Sequence, residues 1–494
     1  MNPGYDARIL LQDSLKLLPE LLLLFYAFCL LILSVLTPRD RRHWIGYLAL
    51  LAVGFTLPVV FQLGVAMGEG PGARVFYGDF ALDTFSLWFK AVFLLSAALT
   101  IMLSIRYLDI EGAQAGEYYA LILTAVSAMM FLASSTHFIM IYVSLETMAL
   151  SIYVLAGFLK DNRKSNEAAL KYFILGAFSS GIFLYGISLV YGATGSLSLA
   201  RISDVVAGAP KDPLLLLGLI LITVSLGFKI AAVPFHMYIP DAYEGAPTSI
   251  TAFMATASKA AAFAVLLRIY IEGFGPVANA WTPLLILMSA ASMTLGNIAA
   301  ILQENTKRML AYSSIAHAGY ALMGVIAAGQ GGDNGAFGMT AVALYMLVYT
   351  FTTLGAFALV VMLRSERLVG DLVVDFAGLS RRAPLPAFAM LVFMLSLAGI
   401  PLTAGFVGKW YLFGAAIKAH YAWLAVLAVV NSAISLYYYV RIVVQMYIKE
   451  PTSDERFAAS PALTAAIGIA VIVTLFIGVW PDRFVTYARL ALLG

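Results

Sequence analysis

Charge is scarce in this sequence. Asp, Glu, Lys and Arg make up 12% of its 494 residues, against roughly 25% in a soluble globular protein, and that deficit excludes an ordinary soluble enzyme. Cysteine is nearly absent: Cys29 stands alone, so disulfides, Cys-ligated iron–sulfur clusters and CxxC motifs are excluded within the chain. Its place inside the first apolar run reads as a core thiol. The five histidines, His43, His137, His236, His317 and His420, show no HExxH spacing and have no cysteine partner. No metal, haem or other bound cofactor is therefore expected in this chain. A formal charge of +3, spread over short loops, gives no reason to expect a nucleic-acid partner. Long polar stretches are missing as well, which leaves no room for a separate soluble domain.

What is present is apolar sequence, 62% of the chain. Runs near the roughly 20 residues that cross a bilayer recur from end to end. Candidate spans are 17–36, 45–67, 84–105, 118–134, 137–158, 168–191, 214–233, 248–274, 282–303, 308–328, 338–363, 385–417, 421–448 and 461–480. Lipid offers backbone groups no hydrogen-bond partner, and a β-barrel would need short alternating segments, so each span must be helical. The expected fold class is an all-α integral membrane protein of about fourteen helices. The opening MNPGYDARILLQDSLKLLP lacks a basic n-region with a small-residue cleavage site, and reads as mature protein and not as a signal peptide.

Basic residues in the loops set the expected orientation. After odd-numbered spans stand Arg39, Arg41, Arg42, Arg106, Lys160, Arg163, Lys164, Lys307, Arg308, Arg364, Arg367, Arg381, Arg382, Lys449 and Arg456. After even-numbered spans stand only Arg74, Arg201, Lys211 and Lys418. The bias of roughly four to one places the odd loops in the cytoplasm and both termini on the outer face.

Two spans are unusual. The seventh contains LGFKIAAVPFHMYIPDAYEGAP from Leu226, and the twelfth AGIPLTAGFVGKWYLFG from Ala398. Pro234 lacks a backbone N–H and crowds the carbonyl four residues before it, so the helix should break there; Pro401, followed by Gly405 and Gly408, should do the same and leave unwound backbone. Lys229 and Lys409 flank these breaks. The two spans lie an odd number of helices apart, so the chain enters them from opposite sides. That is the arithmetic of an inverted repeat, and paired interrupted helices point to a transport site. The expected division is an N-terminal three-helix segment (1–117), a first five-helix repeat (118–274), a second (275–448) and a C-terminal helix (449–494).

Ionisable residues inside the spans carry the chemistry. Lys259 lies about eleven residues into the eighth span, roughly 16 Å deep, and Glu146 is similarly central in the fifth. A charge at that depth costs a few kcal/mol and must face a partner or a hydrated cavity. Static ion pairs would explain any one of these groups. Four of them, Glu146, Lys229, Lys259 and Lys409, in broken or adjacent helices, are what a proton relay requires, with His236 beside a break. Burial disfavours the charged form of a lysine and a nearby carboxylate favours it, so a moving carboxylate could switch a lysine between holding and releasing a proton. Secondary relay candidates are His317, Tyr312 and Lys171; a satisfied polar core is the plainer reading of the first two. Lys90, Lys171 and Arg441 read equally well as interfacial anchors or structural partners, and Asp241 and Glu244 as capping or loop-folding residues.

At these residues the sequence resembles a known family. GFKIAAVPFHMYIPDAYEGAPTSITAFMATASKAAAF is similar to the core of the antiporter-like subunits of proton-pumping NADH:quinone oxidoreductase, respiratory complex I. NRKSNEAALKYFILGAFSSGIFLYGISLVYGATGS is similar to the subunit N branch, the bacterial counterpart of mitochondrial ND-two. Leu145 precedes Glu146 where the L and M branches usually carry a Trp-Glu pair, and Lys409 stands where the M branch generally has glutamate. The L branch adds a long C-terminal lateral helix for which this chain has no residues. Tyr238 departs from the tryptophan more common in the N branch.

The resemblance implies relay roles for Glu146, Lys229 and Lys259, and an exit role for Lys409. It also implies that NADH, flavin, iron–sulfur clusters and quinone reside in partner subunits, and that the partners are other membrane subunits, including the antiporter-like subunit M and small subunits, with peripheral-arm subunits contacted indirectly, and lipids. A bacterial inner membrane is the expected location. The alternatives are a subunit of a ferredoxin-dependent photosynthetic complex, an Mrp-type cation/proton antiporter, or a structural membrane scaffold.

Overall fold

The computed structural model describes residues 7–38, 42–68, 72–364, 370–451 and 460–493. Arg39, Arg41, Arg367 and Arg456 lie outside the described residues.

The first described helices are α1 (Ala7–Lys16), α2 (Leu18–Leu36) and α3 (His43–Met67). A short antiparallel hairpin, β1 (Ala73–Val75) and β2 (Phe80–Leu82), leads into α4 (Thr84–Glu111). Asp83 caps α4 by accepting from the Ser86 amide while the Ser86 side chain returns to the Asp83 backbone, which satisfies two of the orphan donors of that helix end. Next come α5 (Gly116–Ser134), α6 (Phe138–Ala156), α7 (Arg163–Thr194), the short α8 (Leu199–Gly208) and α9 (Pro213–Lys229). Asn162 caps α7, and Asp212 caps α9 with Pro213 in its first turn.

After α9 the chain unwinds, forms α10 (Ile239–Gly245), and enters one long crossing made of α11 (Thr248–Phe253), a π-helical turn at Met254–Ser258, α12 (Lys259–Arg268) and a second π-helical turn at Ile269–Gly273. There follow α13 (Ala278–Ile301), α14 (Thr306–Ala328), α15 (Gly332–Leu363), the single turn α16 (Leu379–Arg382), α17 (Pro384–Ala398), α18 (Ala404–Lys418), α19 (Ala422–Tyr447), α20 (Pro461–Val479) and α21 (Asp482–Leu490).

Among the described residues, 12 helices are long and apolar enough to cross a membrane. The seventh and twelfth expected spans complete the set of fourteen as interrupted helices. α9 ends at Lys229, with Pro234 five residues further on, and α17 gives way to α18 across residues 399–403. Gly399, at φ +88°, ends α17 in the left-handed conformation, a position glycine occupies without a Cβ penalty. A Cβ there would also crowd the Lys409 side chain.

Two local expectations need correction. Gly405 and Gly408 do not unwind the chain; both lie inside α18, where Gly405 lets the helix approach the Ser396 carbonyl and Gly408 packs on Tyr345. Cys29 is half-buried on α2 and is not a core thiol, because its stripe of the helix borders the exposed face carrying Phe25 and Phe28.

The centre of the bundle is the α11–α12 crossing together with α14 and α15, whose most apolar windows are 94–100% buried. Around it α2, α3, α7, α9, α13, α19 and α20 expose apolar faces, as at Phe178, Leu287, Val426 and Ile472. An inner layer buried by protein inside an outer layer facing apolar surroundings is the arrangement that lets polar side chains sit at membrane depth.

Candidate functional site: a buried line of ionisable groups

Glu146 on α6 and Lys229 at the last turn of α9 face each other with Oε1 and Nζ 3.8 Å apart. That is an ion pair without a hydrogen bond. Glu146 instead accepts from the Ser180 hydroxyl on α7. The Lys229 ammonium has no hydrogen-bond partner and lies 6.0 Å from the Tyr153 ring centroid, within reach of a cation–π attraction. Tyr153 packs edge-on against Tyr172 at 4.6 Å, and Tyr172 stacks on Tyr238 at 5.0 Å. Tyr238 stacks in turn on Phe228 and donates to its carbonyl at 3.0 Å. Tyrosine at this place thus splints the end of α9 with its ring and its hydroxyl.

Lys259 begins α12 directly after a π-helical turn. Its ammonium donates to the Ser314 carbonyl at 2.5 Å and to the Ser314 hydroxyl at 2.9 Å. His317, one turn along α14 from Ser314, pairs through Nδ1 with the Tyr345 hydroxyl and through Nε2 with the Tyr439 hydroxyl at 3.0 Å. Tyr439 also meets the Ser313 hydroxyl at 2.5 Å.

Two small cavities, each of about 10 Å³, flank His317. One is lined by Lys259, Ser314, His317 and Tyr345; the other by His317, Tyr345, Thr352, Ser396 and Lys409. That volume is at the lower limit for one water molecule, and the exposed lining is mostly apolar, because Lys259, His317 and Lys409 spend their polar atoms on protein partners.

Lys409, on α18, closes the line. Its ammonium donates to the carbonyls of Leu397 and Ala398 at 2.8 and 3.0 Å and to the Ser432 hydroxyl at 2.8 Å, and the Tyr320 ring lies 5.2 Å away. The two carbonyls are the free ends of α17. The break therefore supplies acceptors at the negative end of a half-helix, where a cation is favoured.

The structure separates the other candidates from this line. His236 lies half-buried in the first break, its Nδ1 without a hydrogen-bond partner. Tyr312 is half-exposed and apart from the cavities. Lys171 pairs with Glu167 and Asp241 at 2.7 and 2.8 Å at one end of the bundle. Arg308 joins the same cluster, with Asp241 and Glu244 each within 2.9 Å. Partial burial opposes ionisation of Asp241 and Glu244, yet hydrogen bonds from Lys171 and Arg308 to the first, and from Lys164 and Arg308 to the second, hold both carboxyls below the usual range. Arg441 binds the carbonyls of Ile301 and Gln303 at the end of α13, a structural task. Lys90 forms a fully buried 2.6 Å ion pair with Glu20 of α2, away from the line. Among the described residues no cluster of His, Cys, Asp or Glu could hold a metal ion.

Sequence reasoning missed Ser180, Ser314, Tyr345, Ser432, Tyr439 and Glu20. Their only signal is polarity within apolar runs.

The family described as NADH:quinone oxidoreductase/Mrp antiporter, TM, matches residues 135–435. NADH-quinone oxidoreductase subunit N 1 of Koribacter versatilis is 46% identical over 96% of this chain and 94% of its own length. The chain belongs to the NADH-quinone oxidoreductase subunit N family. A second member of the subunit N family, subunit N 2 of Rhizobium meliloti, is 44% identical over 99% of both chains. A chain of respiratory complex I from Thermus thermophilus with bound Aureothin superposes with a TM-score of 0.80 at 36% identity, covering 95% of this chain and 99% of that one. The Mrp complex from Dietzia sp. contains a chain with a TM-score of 0.84 at 22% identity, covering 97% of both, a likeness of fold alone. The matched region spans every residue of the buried line, from Glu146 to Lys409, as well as the two breaks.

Proposed function

We propose that this chain is a proton-translocating membrane-arm subunit of an NADH:quinone oxidoreductase, and that Glu146, Lys229, Lys259 and Lys409 form its relay, with His317 between the last two. The observation that carries this reading is the pair of small cavities on either side of His317, one lined by Lys259 and the other by Lys409, which share the imidazole and Tyr345 between them. An imidazole with two nitrogens can accept a proton on one side and give one up on the other. Quinone reduction elsewhere in the assembly supplies the energy, and the redox cofactors belong to partner subunits. Neighbouring membrane subunits, lipids, a bacterial inner membrane and an outward placement of both termini complete the reading. The last follows from the loop charges. The two half-channels correspond to repeats at 118–274 and 275–448, each carrying one interrupted helix.

An Mrp-type antiporter shares the fold, but the 46% identity to subunit N favours the oxidoreductase. A scaffold would be expected to pair its buried charges with opposite ones, whereas the Lys259 and Lys409 ammoniums meet only carbonyls and hydroxyls. The test is Lys229→Ala in the assembled complex. It should insert and assemble normally yet pump at least about tenfold more slowly, a barrier change of ~1.4 kcal/mol, with the coupled quinone reductase rate falling too. Normal pumping by the assembled variant refutes the relay role of Lys229.

A further inference from the structure

Lys259 is the first residue of a ten-residue α-helical segment that ends at Arg268, and a π-helical turn adjoins it at each end. A π turn closes its hydrogen bonds one residue later than an α turn and so holds one surplus residue. If the turn at Met254–Ser258 relaxed to α-helix, that surplus would pass down the chain. The segment from Lys259 to Arg268 would then rotate by about 100° and advance by about 1.5 Å. The Lys259 side chain would turn away from Ser314 and from the cavity beside His317.

Arg268 is placed to prevent this. It is fully buried, and its guanidinium is held from four directions. Nη2 donates to both carboxylate oxygens of Asp83 at 3.1 and 3.0 Å, Nη1 to Glu272 at 2.5 Å, and Nε to the Ala133 carbonyl at 2.9 Å. The Phe85 ring covers the group at 5.1 Å. Asp83 is itself fixed as the cap of α4, and Glu272 lies 3.4 Å from Arg74 of β1. One end of the segment is therefore clamped to the start of α4 and the end of α5 while the other carries Lys259.

We propose that Arg268 is a positioning residue for Lys259: by clamping the far end of α12 to Asp83 and Ala133 on neighbouring elements, with Glu272 on its own crossing completing the charge balance, it fixes the helical register that points the Lys259 ammonium at Ser314. Planarity and the fixed fork of donors make arginine specific to this task. Lysine keeps the charge but cannot serve two carboxylates and a carbonyl in that geometry. The inference rests on the relay reading for its functional consequence, though the clamp itself is a matter of geometry.

The experiment uses the intact assembled complex and compares Arg268→Lys, a deletion of Ala255, and the two combined. Deleting Ala255 removes the surplus residue from the π turn and leaves an ordinary α-helix with Lys259 and Arg268 where they now stand. Arg268→Lys should assemble and still reduce quinone while its protons moved per electron fall by roughly half or more. Deletion of Ala255 alone should pump normally, and in the double variant it should restore the ratio, because no residue remains to slip. A normal ratio in Arg268→Lys overturns the proposal. So does an equal loss with and without the deletion, which is what a merely structural ion pair would give. Failure of the deletion variant to assemble also counts against it, since the deletion is required to preserve the register. Lys259→Ala, measured alongside, separates the readings: full pumping there defeats the relay, whereas lost pumping there with a normal Arg268→Lys defeats only the clamp.

Discussion

The Lys229 ammonium and the Glu146 carboxylate face each other at 3.8 Å without a hydrogen bond. The carboxylate takes its hydrogen bond from Ser180, and the ammonium has none. The pair is thus poised between contact and separation. A shift of under an ångström would convert it to a hydrogen-bonded ion pair; Lys229 is buried while Glu146 is half-buried, and the attraction between them grows as the separation closes.

If Glu146 controls Lys229 through its charge, the two conservative variants should differ. Glu146→Asp keeps the charge with a shorter reach, and Glu146→Gln keeps the shape and the Ser180 hydrogen bond without the charge. Pumping normalised to assembled complex should be higher in Asp than in Gln. Equal activity in both would mean that the residue braces helices and does not tune the lysine.

The cluster around α10 should respond to acid. Asp241 and Glu244 are held below the usual carboxylate range in the fold, so they favour the docked state above their unfolded values and lose that contribution as pH falls through the lower folded ones. Both side chains are partly solvated, which keeps the effect small and salt-sensitive. Hydrogen exchange over residues 239–245, corrected for the intrinsic pH dependence of amide exchange, should stay flat from neutral pH to about pH 5 and rise below about pH 4. Loosening that begins near neutrality would contradict this assignment.

The fold was largely legible because lipid leaves the backbone few options. Apolar run length gave twelve of the spans to within about five residues; α4 runs six residues past its expected end, to Glu111, and α15 begins six residues ahead of its expected start because Gly332, Asp333 and Asn334 hide its first turn. The breaks announced themselves through proline. How they are built did not: Gly399 ends the twelfth helix, and Gly405 and Gly408 serve close packing, which only the neighbours Ser396 and Tyr345 reveal. Buried lysines stood out because a charge inside a membrane is rare. Their partners did not, since serine and threonine commonly satisfy themselves within a helix, as Thr56, Ser104 and Thr223 do with carbonyls four residues back. Nothing in the sequence distinguishes these from Ser314 or Ser432. The π turns beside Lys259 and Arg268 likewise carry no proline or glycine to betray the first of them.

The central claim is that a buried lysine must give up its proton during turnover, and Lys409 tests it most directly. All three protons of its ammonium have an acceptor, the carbonyls of Leu397 and Ala398 and the hydroxyl of Ser432, and a water-sized cavity adjoins it. Arginine keeps the positive charge beside those carbonyls but does not deprotonate in a protein. The measurement is proton uptake into inverted vesicles by Lys409→Arg, normalised to assembled complex. Assembly near the wild-type level with pumping reduced by about tenfold or more is the predicted result; pumping at the wild-type rate would contradict the account and leave Lys409 a fixed charge at the end of a half-helix.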